Sequence, residues 1–386
     1  MDLTGDTADV AFRHEVREWL AANRPNALPV MDSEEGFAAY RQWERQLFDA
    51  KLSAVSWPKE FGGRGASLWQ WLIFEEEYHR ADAPVRVSQS GLLLLAPTLF
   101  EYGTPEQRAR FLTRIARADD IWAQAWSEPD AGSDLASLRS TASRVTGGWR
   151  LNGQKVWSTR SPFADWCFGL FRSDKDAQRH RGLTYFLAPL TAPGVTVRPI
   201  YQLDGDPSFG EIFFDDVFVP DSDVLGEVNA GWSVAMATAS SERGLSLRSP
   251  GRFMASADRL VQLCRDLGDA VPVTLRQDVA QAWMEADAYR LNTARTVSRM
   301  NDGQSLGPEM SLNKIFWSEM DVRLNATAMH LLGGHGELTP EAPAAGHHGR
   351  WSDDWIFSLP GPIWGGANEV QRNIVAERVL GLPRGR

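Results

Sequence analysis

The sequence lacks most of the features that mark secreted, membrane-spanning and nucleic-acid-binding proteins. Only two of its 386 residues are cysteines, Cys167 and Cys264, which excludes a disulfide framework and a cysteine-rich zinc site. The apolar run at 91–100 is far shorter than the roughly 20 residues that a membrane-spanning helix needs. A formal net charge of −10, with no long basic run, argues against a nucleic-acid or acidic-membrane partner. The N-terminus has no apolar core like that of a signal peptide, so we expect a cytoplasmic protein.

Hydrophobic periodicity divides the chain into three regions. Up to about residue 119 the apolar residues recur every three or four positions, as in FRHEVREWLAA at 12–22, which is typical of helices. From about Ile121 to Leu225, short alternating runs between glycine or proline turns predict a small antiparallel β-domain. Helical spacing then returns in several long segments, which favours a bundle. We therefore predict an α+β fold with a helical domain at 1–120, a β-domain at 121–225 and a helical bundle at 226–386.

Two polar segments of the predicted β-domain are candidate ligand contacts. The first, QAWSEPDAGSD at 124–134, is typical of a surface turn, but also of a rigid loop whose N–H and hydroxyl groups face a heteroaromatic ligand. In the second, NGQKVWST at 152–159, Trp157 and Thr159 occupy successive positions on one face of a strand. They suit stacking on, and hydrogen bonding to, a flat ring. A core tryptophan beside a cross-strand threonine explains them nearly as well.

The predicted bundle contributes a carboxylate and a glycine turn. Glu242 lies in a helix rich in small residues, where partial burial favours a general base, although a solvated surface glutamate is the plain alternative. Gly365 and Gly366 precede a helix that we expect Asn368 to cap. Paired glycines allow close approach to the backbone, and free N–H groups there favour an anionic or carbonyl oxygen.

Seven motifs occur in the order and spacing of the acyl-CoA dehydrogenase family, which the sequence resembles over nearly its whole length. They are YGTPEQRARFL, SEPDAGSD, NGQKVWST, FFDDVFVP, the Glu242–Arg243 pair, LLGGHG and GGANEVQRNIVAERVLG. The resemblance implies the family fold, with an N-terminal helical domain, a middle antiparallel β-domain and a C-terminal helical bundle. That arrangement agrees with the division predicted from periodicity.

The resemblance also implies an FAD cofactor whose flavin ring lies against the β-domain, with Thr159 near the flavin N5. The residues that it implicates around the ring are Gln124, Trp126, Ser127, Ser133, Trp157, Ser158 and Thr159. For the rest of the cofactor it implicates Gly333 and Gly334. The family usually carries an Arg-x-x-Phe-Gly segment that grips the pyrophosphate of the neighbouring subunit's FAD. This chain lacks that segment and offers Arg276 as a substitute, while His330 and Ala367 also replace usual contact residues.

The resemblance further implies α,β-dehydrogenation of an acyl-CoA thioester to the trans-2-enoyl thioester, with an electron-transfer flavoprotein as acceptor. Many members carry the base immediately before the glycine of the C-terminal turn, and that position here is Gly365. A smaller group carries it on the first helix of the C-terminal domain, just before an arginine, which implicates Glu242. The substrate contacts implied are Ser133, Arg243, Gly365 and Gly366, with a backbone N–H near Gly365 polarising the thioester carbonyl.

Several alternatives remain open at the level of sequence. The chain is either a homo-oligomer or part of an α2β2 hetero-oligomer, in which a related chain supplies the missing pyrophosphate contacts. A flavin monooxygenase of the same fold and a non-catalytic subunit that completes a partner's flavin site are the other functions considered. A branched or ring-bearing acyl group, such as a steroid side chain, suits the small residues around Glu242. His347 and His348 have no regular ligand spacing, so we expect no metal site.

Overall fold

The computed structural model describes residues 7–243, 249–304, 306–339, 342–344 and 350–384, with side chains for all of these except 241–243. The helices before the sheet are α1 (Thr7–Asn23), α2 (Glu34–Asp49), α3 (Leu68–Arg80), α4 (Ala96–Tyr102) and α5 (Pro105–Ala116). Helices α3 and α5 both begin with a capping box, in which Ser67 pairs with Gln70 and Thr104 with Gln107. These reciprocal bonds satisfy backbone N–H groups that a helix start leaves unpaired.

A single mixed sheet occupies the middle of the described chain. Its strands are β1 (Trp122–Ala125), β2 (Thr141–Val145), β3 (Gly148–Thr159), β4 (Trp166–Arg172), β5 (Leu183–Pro189), β6 (Val195–Ile200), β7 (Phe209–Pro220) and β8 (Val224–Leu225). They are ordered β6-β7-β3-β2-β4-β5-β8, and β1 pairs with β4. The prediction of an antiparallel sheet is wrong for β1–β4 and β2–β4, which are parallel. Both pairs are separated along the chain by other structure, which gives β4 the crossover that a parallel partner requires.

The remaining helices follow the sheet. They are α6 (Gly231–Arg243), α7 (Pro250–Leu267), α8 (Val273–Asn301), α9 (Met310–Leu332), α10 (Arg350–Ser358) and α11 (Asn368–Ile374). The predicted fold class, with helices before and after a middle β-domain, is confirmed. None of the helices within the described residues combines the length and the hydropathy that a membrane span requires.

The chain divides into two compact units. The first comprises residues 1–24, 67–83 and 243–386, and its core includes the stacked rings of Phe253 and Trp317. The second comprises residues 25–66 and 84–242, and its core lies against the sheet around Trp149, Phe171 and Phe186. The N-terminal helices are therefore divided between the two units: the first contains α1 and α3, and the second contains α2, α4 and α5. Helix α6 belongs to the second unit up to residue 242.

Candidate functional site

Backbone hydrogen bonds fix the first half of the polar loop that follows β1. Glu128 and Ala131 exchange two backbone hydrogen bonds of 3.0 Å, which closes a tight turn. The N–H of Val156 on β3 donates to the Ser127 carbonyl at 2.9 Å, so the loop lies directly beside the segment 157–159. Gln124 and Ser127 are half-buried, whereas Ser133 is exposed at the far side of the turn. The structure thus brings Ser127 next to the second predicted segment and leaves Ser133 outside these contacts.

A buried ion pair anchors this loop to β3, and no pattern in the sequence predicts it. Nζ of the fully buried Lys155 donates to Glu128 Oε1 at 2.8 Å and to the Leu170 carbonyl at 2.7 Å. The Glu128 carboxylate also accepts from the N–H groups of Arg139 and Ser140, at 2.6 and 2.9 Å. Burial raises the pKa of Glu128, but the Lys155 charge and these donors outweigh it and hold the pKa below its ordinary value.

Trp157 has a strained backbone and an exposed side chain. Its φ is +59°, in the left-handed region that bulky residues avoid at a cost of about 1–2 kcal/mol. The register of β3 against β7 shifts between Lys155 and Ser158, so the segment carries a bulge and is not the regular strand that we expected. The indole is 59% exposed and stands edge-on to the Phe209 ring, with ring centres 6.2 Å apart. Strain of this kind is concentrated at functional sites.

The two residues that follow Trp157 differ in burial. Ser158 is 0% exposed, and its Oγ has no hydrogen-bond partner within the described residues, while Thr159 is half-buried. A buried hydroxyl without a partner costs about 1–3 kcal/mol, which a bound polar group would recover. An exposed indole face, an unpaired hydroxyl and the neighbouring loop together fit a flat ring with a polar edge. The segment is therefore compatible with the flavin ring of FAD.

Trp126 connects this loop to helix α6 through a buried chain of side chains. Its buried indole packs perpendicular to Tyr185, with ring centres 6.4 Å apart. Tyr185 Oη lies 3.2 Å from Thr238 Oγ1 on α6, and Thr238 Oγ1 lies 2.8 Å from Thr98 Oγ1. Burial raises the pKa of Tyr185, so the phenol stays protonated and available as a donor. These contacts between side chains hold α6 to the loop within the second unit.

Glu242 and Arg243 are the last two residues of α6, one helical turn beyond Thr238. Their side chains lie outside the described part of the structure, as do His347 and His348. The backbone therefore places both candidates at a helix end.

The glycine turn belongs to the first unit. Gly365 and Gly366 have φ values of +64° and +92°, and both are partly exposed. Neither N–H donates to any residue that the structure describes. The prediction that Asn368 caps α11 is wrong, because the cap position is Ala367 and no side chain bonds there. Asn368 is instead buried, with Oδ1 accepting from the ammonium of Lys314 at 2.8 Å.

The residues implicated in the rest of the cofactor lie elsewhere in this unit. Arg276 stands at the start of α8 and donates to the carbonyls of Gly268 and Val271, both at 3.1 Å, so its guanidinium holds the α7–α8 turn. Gly333 and Gly334 are exposed at the end of α9. Lys314 lies on α9 and contacts the glycine turn. It precedes Gly333 by 19 residues, which corresponds to roughly 28 Å along the axis of α9. The structure thus separates Gly333–Gly334 from Gly365–Gly366.

Three family models match the chain. They describe the acyl-CoA dehydrogenase N-terminal domain at residues 7–119, the middle domain at 123–217 and the C-terminal domain at 229–380. Acyl-CoA dehydrogenase IpdE1 of Mycolicibacterium smegmatis is 41% identical over 391 residues, which cover 97% of each chain.

Two solved structures are similar over the full length of both chains. The Tcur3481-Tcur3483 steroid ACAD has a TM-score of 0.88 at 28% identity. The ChsE4-ChsE5 complex from Mycobacterium tuberculosis has a TM-score of 0.85 at 30% identity. The chain therefore belongs to the acyl-CoA dehydrogenase family of FAD-dependent oxidoreductases.

Proposed function

We propose that the protein removes the α-proton and the β-hydride of an acyl-CoA thioester and releases the trans-2-enoyl thioester. The observation that carries this proposal is the buried chain from Trp126 through Tyr185 to Thr238. It ties the loop of Ser127 to α6, the helix that ends in Glu242 and Arg243. In the proposal Glu242 is the general base, which acts on the proton next to the thioester carbonyl.

The free N–H groups of Gly365 and Gly366 are assigned to the thioester carbonyl. Removal of the α-proton develops negative charge on that oxygen, and preorganised donors stabilise the charge without reorganisation. Glycine carries no side chain that would shield these N–H groups, so the backbone at both positions stays open to close approach. Ser133 and Arg243 are assigned to further substrate contacts.

The second unit is assigned the flavin ring. Trp157 would lie on its face, while Ser127, Ser158, Thr159 and Gln124 offer polar groups to its edge, and Trp126 shapes the loop from within. FAD, when bound, would accept the hydride that leaves the β-carbon. The exposed indole and the unpaired Ser158 hydroxyl support this assignment.

Glu242→Gln tests the proposed base. The holoenzyme is mixed anaerobically with acyl-CoA, and flavin bleaching is followed by absorbance. The variant should keep its flavin and lose reduction by several orders of magnitude, since no proton acceptor remains. Glu227→Gln, an exposed glutamate shortly before α6, is the control and should reduce normally. Near-normal bleaching in Glu242→Gln contradicts the base assignment. If the wild-type protein itself shows no bleaching with any thioester, the result favours a monooxygenase.

The acyl group is proposed to be branched or ring-bearing, such as a steroid side chain. Ala235 and Ala239 are buried small residues on α6, and one solved relative is described as a steroid ACAD. A panel of straight-chain, branched and steroid side-chain acyl-CoAs, with acyl carrier protein thioesters alongside, separates these substrates by their bleaching rates. Fastest bleaching with straight chains contradicts the proposal.

We further propose that the chain works with a related chain in an α2β2 assembly and passes electrons to an electron-transfer flavoprotein in the cytoplasm. Arg276 donates to its own α7–α8 turn, and two similar structures are named for pairs of chains. The chain purified alone should be poor in flavin, because the charge-assisted pyrophosphate contacts are missing. Full flavin occupancy and activity of the lone chain would instead establish a homo-oligomer.

A further inference from the structure

A buried lysine spans the turn that carries Gly365 and Gly366. Lys314 lies on the second turn of α9 and is 1% exposed. Its Nζ donates to the Gly361 carbonyl at 3.0 Å and to Asn368 Oδ1 at 2.8 Å. Gly361 and Asn368 stand before and after the two glycines, so one ammonium group fixes both sides of the turn. Removing an ammonium from water is costly, and the hydrogen bonds at both ends of the turn compensate part of that cost.

Asn368 transmits this restraint because its own amide is held in place. Its Nδ2 donates to Ser318 Oγ at 3.1 Å and to Glu319 Oε1 at 3.0 Å, and both partners lie on α9. Its backbone N–H donates to the Pro362 carbonyl at 2.8 Å, inside the turn. The orientation of Asn368 is therefore set by α9, and the turn follows that orientation.

A second contact holds the turn at Gly366. Gln371 Nε2 donates to the Gly366 carbonyl at 3.3 Å, and Gln371 Oε1 accepts from Ser311 Oγ at 2.8 Å. Glycine by itself adopts many backbone conformations. The direction of the Gly365 and Gly366 N–H groups thus depends on the side chains of Asn368 and Gln371. Three residues on one face of α9 hold these two side chains, namely Ser311, Lys314 and Ser318.

We propose that Lys314 is a positioning residue that sets the direction of the Gly365 and Gly366 N–H groups toward the thioester carbonyl. The conformational part of this proposal stands on the contacts above, and its consequence for the reaction rests on the proposed function. Lys314 acts through the turn and does not touch the substrate. Its loss should therefore change the chemical step more than substrate binding.

Lys314→Met tests the proposal in the flavin-loaded oligomer with two measurements. Hydrogen–deuterium exchange of peptides that cover 361–371 should speed up about tenfold, because opening of the turn becomes easier. The maximal rate of flavin bleaching by acyl-CoA should fall about 100-fold, as when one oxyanion donor is lost, with a much smaller change in KM. Lys314→Arg keeps a cationic donor, so its turn should exchange more slowly and its flavin should bleach faster than in Lys314→Met.

Leu324→Ala is the matched control. Leu324 is fully buried on the same helix, ten residues further along, and its truncation should lower the thermal midpoint while leaving the hydrogen bonds of Lys314 and Asn368 in place. Faster exchange at 361–371 in Lys314→Met but not in the control supports the proposal. Exchange that is unchanged, or that rises equally in both variants, overturns it. Faster exchange with unchanged bleaching supports the positioning of the turn and contradicts the carbonyl role that the proposed function gives to Gly365.

Should Lys314→Met fail to fold, a pair of variants at Asn368 gives the same test. Asn368→Leu removes the acceptor of the lysine at similar side-chain size, and it should speed exchange of the turn as Lys314→Met does. Asn368→Asp keeps an acceptor for the ammonium but loses both Nδ2 donors and places a second carboxylate beside Glu319, so its turn should exchange faster than in the wild type and slower than in Asn368→Leu. Equal exchange in the two Asn368 variants overturns the proposal.

Discussion

The two segments assigned to ligands differ in how each maintains a left-handed backbone. In the second unit Trp157 has a φ of +59° although it carries a large side chain, and the adjacent Glu128–Lys155 ion pair is buried beneath the loop. In the first unit Gly365 and Gly366 take φ values of +64° and +92° without strain, and neutral side chains together with Lys314 hold them. One segment is strained where the proposed function needs an exposed ring, while the other uses glycine where the proposed function needs accessible backbone N–H groups.

This difference agrees with the group that the proposed function requires from each segment. A glycine at 157 would relieve the strain but would offer no indole, so the strain can persist only because the surroundings fix the loop. At 365 and 366 no side chain is needed, and glycine supplies the conformation at no steric cost. The segment at 157 should therefore depend most on its buried supports, and the turn on the absence of a Cβ.

Lys155→Met should have the largest effect on stability. It leaves the Glu128 carboxylate buried with only the two N–H donors of Arg139 and Ser140, and breaking one side of a buried ion pair costs about 3–5 kcal/mol. Flavin content should fall as well, because the loop of Ser127 loses its anchor on β3. Thermal unfolding and flavin absorbance per chain measure both effects.

Arg86→Met is the control for this variant. It breaks another buried pair in the same unit, with Glu44, and should destabilise without a specific loss of flavin from the folded protein.

Lys155→Met should also change how the stability of the protein depends on pH. The depressed pKa of Glu128 contributes stability above its ordinary pKa of 4.5, and that contribution is lost as the pH falls through the lower folded value. Without Lys155 the loss should begin at higher pH, and an unchanged acid profile would speak against the ion pair.

Gly365→Ala should have the next largest effect. A Cβ at a φ of +64° costs about 1–2 kcal/mol, and the turn would relax by moving the N–H groups assigned to the thioester carbonyl. The bleaching rate should fall far more than flavin content. Gly381→Ala, at a φ of +67° in the exposed C-terminal segment, carries the same strain and should leave the bleaching rate unchanged.

The sequence predicted the fold class because that depends on periodicity and on motifs that are local in the chain. Alternating runs such as GWRLNGQKVWS mark strands regardless of which strand they pair with. It did not predict the parallel β1–β4 pair, since partner choice depends on residues over 40 positions apart, such as Trp122 and Trp166. At the candidate site it selected residues with recognisable chemistry and missed Lys155 and Lys314. Their roles arise from burial and from partners that only the folded chain brings near.

Variants at Trp157 measure what its left-handed backbone conformation costs. Trp157→Gly should be more stable than Trp157→Ala by about 1 kcal/mol, since alanine keeps the strained backbone and glycine relieves it. This order is the reverse of the usual one at regular strand positions, where glycine is the less stable residue. Both variants should lose flavin, because neither has an indole. An alanine variant that is as stable as the glycine variant would place the strain elsewhere.

Ser158→Ala should have the smallest effect on stability, with opposite signs for the protein with and without flavin. In the flavin-free protein the change removes a buried hydroxyl that has no partner among the described residues, so the thermal midpoint should stay or rise slightly. With flavin the hydroxyl gains a partner, and its loss should weaken binding by about 1 kcal/mol, or roughly fivefold in Kd.

Ser161→Ala is the control, because Ser161 Oγ is also buried and unpaired in the described structure and is not assigned to the cofactor. Flavin titrations of the three proteins decide the point: equal affinities mean that Ser158 serves the fold alone, whereas a loss confined to Ser158→Ala assigns the unpaired hydroxyl to the flavin.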